Sequence, residues 1–178
     1  YLRAHQELQV LDFGGINQPN LDFVTGLGHR IYGENLMLAF DYFFSQQEVA
    51  SRQFAPERVE QFLDQTFDFE DQSCDAAFLW DTLQFLPPNI AQGVLGRLYR
   101  VLAPDSLLMA FFHPENSGPA APHVCRILDD RNLQLTPRQH VRAIVPFSTR
   151  SIERFFQQFQ SVKFFLTREN LQEVIARR

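Results

Sequence analysis

The sequence predicts an α/β protein built on a doubly wound, mostly parallel sheet. Three observations carry this. Gln9-Val10-Leu11-Asp12-Phe13-Gly14-Gly15 reads as a short buried strand that ends in an acid and runs into a glycine turn. Ala76-Ala77-Phe78-Leu79-Trp80 and Leu107 to Phe112 are near-continuous apolar runs, the pattern of parallel strands covered on both faces. Helical stripes lie between such runs, as in consecutive strand–helix–strand units. A chain of 178 residues with 45% hydrophobic content suffices for one domain with a substantial core.

Taken in order, Val10 to Phe13 is the first strand. Pro19 suits the first turn of a helix capped by Asn17 or Gln18; Leu21, Val24 and Leu27 share one face, and Gly26 and Gly28 end it. His29 to Gly33 is the second strand, and the helix between them makes the two parallel. Leu36 to Phe44 is an apolar helix and Ser45 to Arg52 a polar loop. Pro56 opens another helical pattern with Val59, Phe62 and Leu63 inward. The alternation also asks for a third strand before Asp68, with Phe62-Leu63-Asp64 as a candidate for its end. After the apolar run to Trp80, Pro87-Pro88 starts a helix striped by Ile90, Val94, Leu98, Val101 and Leu102. Pro104-Asp105-Ser106 is a turn before the strand Leu107 to Phe112. Pro114 to Pro122 is a loop, and two alternating runs around Asp129-Asp130-Arg131-Asn132 make a hairpin between Val124 and Val145. Ser148 or Thr149 caps a helix carrying Ile152, Phe155, Phe156 and Phe159. Val162 to Leu166 and Leu171 to Ile175 are joined so closely that they must be antiparallel.

Composition narrows the function classes. A net charge of −5 does not fit a nucleic-acid binder. The two cysteines, Cys74 and Cys125, form no CxxC pair, which excludes a cysteine zinc site and points to a reducing, cytoplasmic location. No apolar run reaches the length of a membrane span, and no secretion signal is visible. Tyr1 in place of Met suggests that a natural N-terminus is missing. His5, His29, His123 and His140 are scattered without metal-ligand spacing, so no metal is expected. There is no Walker loop, G-x-S-x-G or HExxH. Nineteen phenylalanines supply either the core or a Phe-rich surface for a protein partner or a second copy.

Asp71-Gln72-Ser73-Cys74-Asp75-Ala76-Ala77-Phe78-Leu79-Trp80-Asp81-Thr82-Leu83-Gln84-Phe85-Leu86 resembles the "pdgsFDvvl…d.LeHl" segment of class I methyltransferases that use S-adenosylmethionine (SAM), of the small-molecule type. Leu98-Tyr99-Arg100-Val101-Leu102-Ala103-Pro104 is similar to that family's "iyRvLkPGG" segment, with Asp105-Ser106 where two glycines are usual. The order of elements agrees over nearly the whole chain. The resemblance implies a Rossmann-like class I methyltransferase fold with a C-terminal antiparallel strand pair. It implies one domain over residues 1–178, with 123–145 as a hairpin lid or insertion. SAM is the implied cofactor and a small molecule the implied methyl acceptor. Trp80-Asp81 does not resemble the Asn/Asp-Pro-Pro-Tyr motif of nucleic-acid amino methyltransferases.

The resemblance also locates a site. Asp12 is the acid that ends the first strand, and Gly14 is the first glycine of the cofactor loop, with Gly15 compensating for the glycines that follow in the family. Those positions hold Ile16 and Gln18. Such a loop needs backbone conformations that glycine adopts cheaply and a β-branched residue does not. Ile16 therefore predicts either another loop shape or a side chain in the cofactor's space, a partly degraded site. Asn35 falls at the acidic position that holds the ribose hydroxyls, with Glu34 beside it. Loss of a charge-assisted bond there costs about 1.5–3 kcal/mol. Glu34 serves only if the second strand has ended before it. Asp64 is the candidate for the adenine amino group. Asp81, and His113 with Glu115, would surround the acceptor, with Asp81 and His113 as the catalytic pair. Two functions follow: methyl transfer to a small molecule, or an inactive methyltransferase-fold protein serving as a binding or structural subunit.

Overall fold

Asn17 and Pro19 decide how the chain leaves its first strand. β1 (Gln9–Asp12) runs through the glycine turn into α1 (Gln18–Gly26), where the Asn17 side chain accepts from the Asn20 amide and caps the helix. β2 (Arg30–Gly33) returns parallel to β1, with Val10 opposite Ile31. α2 (Leu36–Phe43), α3 (Gln46–Ser51) and α4 (Pro56–Thr66) follow, then β3 (Cys74–Trp80), α5 (Pro88–Val101) and β4 (Leu102–Phe112). β5 (His123–Ile127) and β6 (Leu133–Pro137) form a separate hairpin. α6 (Thr149–Phe155), β7 (Ser161–Leu166) and β8 (Gln172–Arg177) complete the chain. The computed structural model describes residues 1–178. No helix is long and apolar enough to cross a membrane.

The main sheet has the order β2-β1-β3-β4-β8-β7. The first four strands are parallel; β8 is antiparallel to both β4 and β7. This is the expected α/β fold with its closing antiparallel pair. Period-two alternation along the strands divides the core. Leu11, Phe13, Ala77, Leu79, Leu108, Ala110 and Phe112 pack with α2, α4, α5 and α6. Val10, Ala76, Phe78, Trp80 and Phe111 pack with α1 and the β5–β6 hairpin. The hairpin thus covers one sheet face where a second helix would otherwise be needed.

Four expectations change. No strand precedes Asp68, because α4 continues to Thr66 with Phe62, Leu63 and Thr66 buried on one helical face. Phe62 packs edge-on against Phe40, Phe43 and Phe44, and that aromatic cluster makes the helix worth more than another strand. Ser45 to Arg52 is not loop: a capping box between Ser45 and Glu48 starts α3, and Arg52 ends it at φ 55°. The Pro104-Asp105-Ser106 turn is a bulge inside β4, where Cys74 faces Leu102 and Ala76 faces Leu107. Asp105 takes the left-handed conformation at φ 65°, which aspartate tolerates, and its carboxylate meets Arg177 at 2.8 Å. Finally, there is no Phe-rich surface. Phe13, Phe40, Phe62, Phe67, Phe111, Phe112 and Phe156 are fully buried, and Phe165, 52% exposed, is the phenylalanine that faces solvent.

Phe62→Ala opens a cavity in the aromatic cluster and is expected to cost about 3–5 kcal/mol, read as a lowered denaturation midpoint at unchanged slope.

Candidate active site

The site begins at the carboxyl end of β1. Asp12 is 1% exposed. Its carboxylate accepts from the Gly14 amide at 2.9 Å, from Trp80 Nε1 at 2.6 Å and from Asn20 Nδ2 at 2.7 Å. Burial raises its pKa, and these three bonds work against the rise. Gly14 passes so close to Trp80 that a Cβ there would fall 2.5 Å from the indole Cδ1. Gly15 makes the turn at φ +89°. Ile16 has no left-handed backbone; it is 75% exposed and lies across Gly33, where an added Cβ would come within 2.2 Å of Ile16 Cγ1. Gln18 already belongs to α1 and donates to Asp22. The loop therefore has another shape, in which Gly15 alone supplies the positive φ. The missing glycines are not vacancies in this turn.

At the end of β2 the Glu34 and Asn35 side chains are placed differently. The strand stops at Gly33, so Glu34 escapes its alternation. Its backbone bridges to the first strand, receiving from Gly15 at 3.0 Å and donating to Asp12 at 2.8 Å. Its carboxylate is exposed and accepts from the Asn35 amide at 3.0 Å. The Asn35 side chain instead caps α2, accepting from the Leu38 amide at 3.0 Å. Asp64 is not at a strand end: it sits on α4 with its carboxylate 2.8 Å from Arg97, which also holds Glu60 at 2.6 Å. The adenine role expected of Asp64 came from a third strand that does not form.

The other half lies past β3 and β4. Trp80, the last residue of β3, has φ +53°, a conformation that a bulky residue keeps only where its surroundings impose it. Its indole bond to Asp12 is one such restraint. The next residue, Asp81, is 1% exposed. It accepts from the His123 amide at 3.0 Å and from His123 Nδ1 at 2.7 Å, and His113 Nε2 lies 3.4 Å away. Burial would raise the Asp81 pKa, but the two imidazoles facing it outweigh burial and hold the carboxyl below its ordinary range. His113 directly follows β4, and its backbone amide donates to the buried Gln84 side chain. Gln84 also donates to the Val145 carbonyl at 3.1 Å, tying both ends of the intervening segment together. A cavity of about 300 Å³ opens here, lined by His113, His123, Ala120, Pro137, Glu169 and Leu171.

Sequence reasoning brought Asp81 and His113 together and missed His123, Gln84 and Asn20. His123 and Asp81 are separated by a helix, a strand and a loop, so no local spacing links them. Asn20 looked like an ordinary residue of a helix. It is buried and donates to Asp12 and to the Cys125 carbonyl at 3.1 Å, while accepting from the Ile127 amide at 2.8 Å. This docks β5 onto α1. Arg138 then reaches back to the Gly14 carbonyl at 2.9 Å, and Arg142 pairs with Asp41 of α2. The segment 123–142 thus spans from α1 across the glycine turn to α2.

The chain matches the family described as a methyltransferase domain over residues 20–110, just over half its length. It belongs to the class I SAM-dependent methyltransferases. A sequence comparison with curated proteins gave no match. Among solved structures, 1,6-didemethyltoxoflavin-N1-methyltransferase of Burkholderia thailandensis, with bound 1,6-didemethyltoxoflavin and S-adenosylhomocysteine, is similar at 16% identity and TM-score 0.54. That match covers 99% of this chain and 74% of the other. A SAM-dependent methyltransferase of Mesorhizobium loti is similar at 14% identity and TM-score 0.57, covering 99% and 95%. One from Archaeoglobus fulgidus is similar at 11% identity and TM-score 0.57, covering 97% and 86%. At these identities the structures speak for the fold.

S-adenosylmethionine is the cofactor of this methyltransferase family. The donor set at the ends of β1 and β2 fits it. Gly14, packed against Trp80, and Gly15, packed against Asn35, keep the turn tight, and Glu34 offers an exposed carboxylate of the kind that takes a ribose diol. Asn35 and Asp64 are committed elsewhere. Asn20→Ala removes the link between Asp12 and the hairpin, leaving a buried amide and a carboxylate oxygen short of partners. It is expected to cost about 2–3 kcal/mol and to speed hydrogen exchange at the Ile127 amide.

Proposed function

We propose that this chain transfers a methyl group from SAM to a small-molecule acceptor. The observation that carries the reading is the cluster of buried Asp81 and His113, at the carboxyl ends of β3 and β4, with half-buried His123 of β5, beside a cavity of about 300 Å³. Ligands of open α/β sheets bind in this crevice, and the volume is at the small end for a small-molecule site. The Burkholderia relative, which holds a small molecule and S-adenosylhomocysteine, supports the same reading. The alternative, an inactive binding subunit, rested on a degraded loop and a Phe-rich surface. The loop turns at Gly15 without the missing glycines, and the surface is not present.

Bound SAM supplies an electrophilic methyl group. Asp12 fixes the turn, Gly14 and Gly15 would face the cofactor with backbone, and Glu34 would accept from its ribose hydroxyls. His113 and His123 contact the acceptor, and Asp81 orients both rings. The chain acts as one domain, and its hairpin with the segment to Arg142 covers the crevice and excludes water. Methyl transfer is an in-line displacement, so alignment and a dry site supply much of the acceleration.

Calorimetric titration with SAM and with S-adenosylhomocysteine tests the reading directly. Micromolar binding is expected, and Glu34→Gln should weaken it roughly tenfold or more. Absence of heat and of any thermal shift at millimolar ligand would overturn the proposal. With binding in hand, an acceptor screen should find turnover that His113→Ala abolishes while SAM affinity stays within about twofold.

A further inference from the structure

We infer that Asp81, His113 and His123 form a binding site for one divalent transition-metal ion, with Zn²⁺ the best fit. The existence of this site is argued from coordination alone; its part in methyl transfer rests on the function proposed above. One ligand atom from each residue lies within 4.8 Å of the other two. Ligands at about 2.0–2.2 Å around a tetrahedral zinc stand roughly 3.3–3.5 Å apart. The 3.4 Å between Asp81 Oδ2 and His113 Nε2 already matches. The 2.7 Å between Asp81 Oδ2 and His123 Nδ1 is a hydrogen bond that opens by less than an ångström when an ion replaces its proton.

A second observation concerns how the cluster is hydrogen-bonded. His113 is 9% exposed, and its Nε2 is buried without a hydrogen-bond partner while facing the Asp81 carboxylate. An unpaired buried nitrogen is costly and calls for an explanation. A metal ion between the three residues supplies one. In the bound state His113 coordinates through Nε2 and His123 through Nδ1, each as the neutral tautomer that carries its proton on the other nitrogen. The proton of the present His123–Asp81 bond moves to His123 Nε2.

The surroundings suit an ion. Asp81 is held by backbone, through the His123 amide, and His113 by the Gln84 side chain, so the ligands are fixed before binding. Three protein ligands leave a fourth position open toward the cavity, the arrangement of catalytic rather than structural zinc. Two imidazoles and one carboxylate select zinc, cobalt or nickel over magnesium, which prefers an all-oxygen shell. An ion here would hold an acceptor oxygen and make it easier to deprotonate.

The test uses the full chain, stripped with EDTA and titrated with Zn²⁺, Co²⁺ and Mg²⁺. One Zn²⁺ per chain at micromolar affinity or tighter is expected, with a higher melting temperature. Co²⁺ should give the absorption bands of a four-coordinate site, and Mg²⁺ no effect. His113→Ala, and separately His123→Gln in protein shown by circular dichroism to be folded, should each weaken Zn²⁺ at least tenfold. His140→Ala, on the exposed surface, should not. No Zn²⁺ heat at about 0.1 mM, or binding that survives both variants, overturns the inference. SAM titration of the stripped protein separates the two ideas. SAM binding without zinc binding sinks this site and leaves the methyltransferase reading; zinc binding without SAM binding does the reverse.

Discussion

The carboxylate of Asp12 joins three elements that sequence separates. It closes the glycine turn through Gly14, holds the end of β3 through Trp80 and fixes α1 through Asn20. Asn20 passes the restraint to the hairpin. A buried carboxylate is costly unless its oxygens are satisfied, so the donors around it are not interchangeable. The glycine turn, the strained Trp80 and the docking of the hairpin all depend on this one residue.

From Trp80 the consequence runs to Asp81 and the two histidines. Its left-handed backbone delivers Asp81 into the interior rather than along the strand. There the carboxylate organises two histidines that come from opposite ends of the 113–123 loop. Gln84 anchors that loop where it leaves β4 and again where the later segment returns at Val145. The glycine turn and the Asp81 cluster are therefore joined by the Asp12–Trp80–Asp81 connection, with side chain and backbone sharing the load.

The fold also shows how a shortened Rossmann-like sheet keeps both faces covered. A strand beyond β2 is absent, and α3 and α4 occupy the chain between α2 and β3 instead. The aromatic contacts between Phe62 of α4 and the Phe40, Phe43 and Phe44 side chains at α2 thicken one side. On the other side, α1 and a hairpin share the work, and Cys125 and Ile127 become core residues of a two-stranded unit. Because the hairpin is core on its inner side, it is docked firmly onto α1 through Asn20.

The sequence by itself determined the strand–helix alternation, the parallel frame, the closing antiparallel pair and the positions of Asp12, Asp81 and His113 at strand ends. Those are local properties: apolar runs, caps and turns act within a few residues, and strand ends follow from them. It also carried the family resemblance in the segments from Asp71 to Leu86 and from Leu98 to Pro104. Local pattern failed where competing elements were nearly balanced. Phe62-Leu63-Asp64 fits a strand end or a helix face, and the aromatic cluster with Phe40, Phe43 and Phe44 decided for the helix. Ile16 is an obstacle only under the family's glycine spacing; in the closed turn Gly15 takes the positive φ. Glu34 against Asn35 turned on where β2 stops, which its ladder with β1 sets. The meeting of Asp81, His113 and His123 was decided by tertiary structure alone, because it requires the left-handed turn at Trp80 and the docking of the hairpin through Asn20, neither of which leaves a mark in residue spacing.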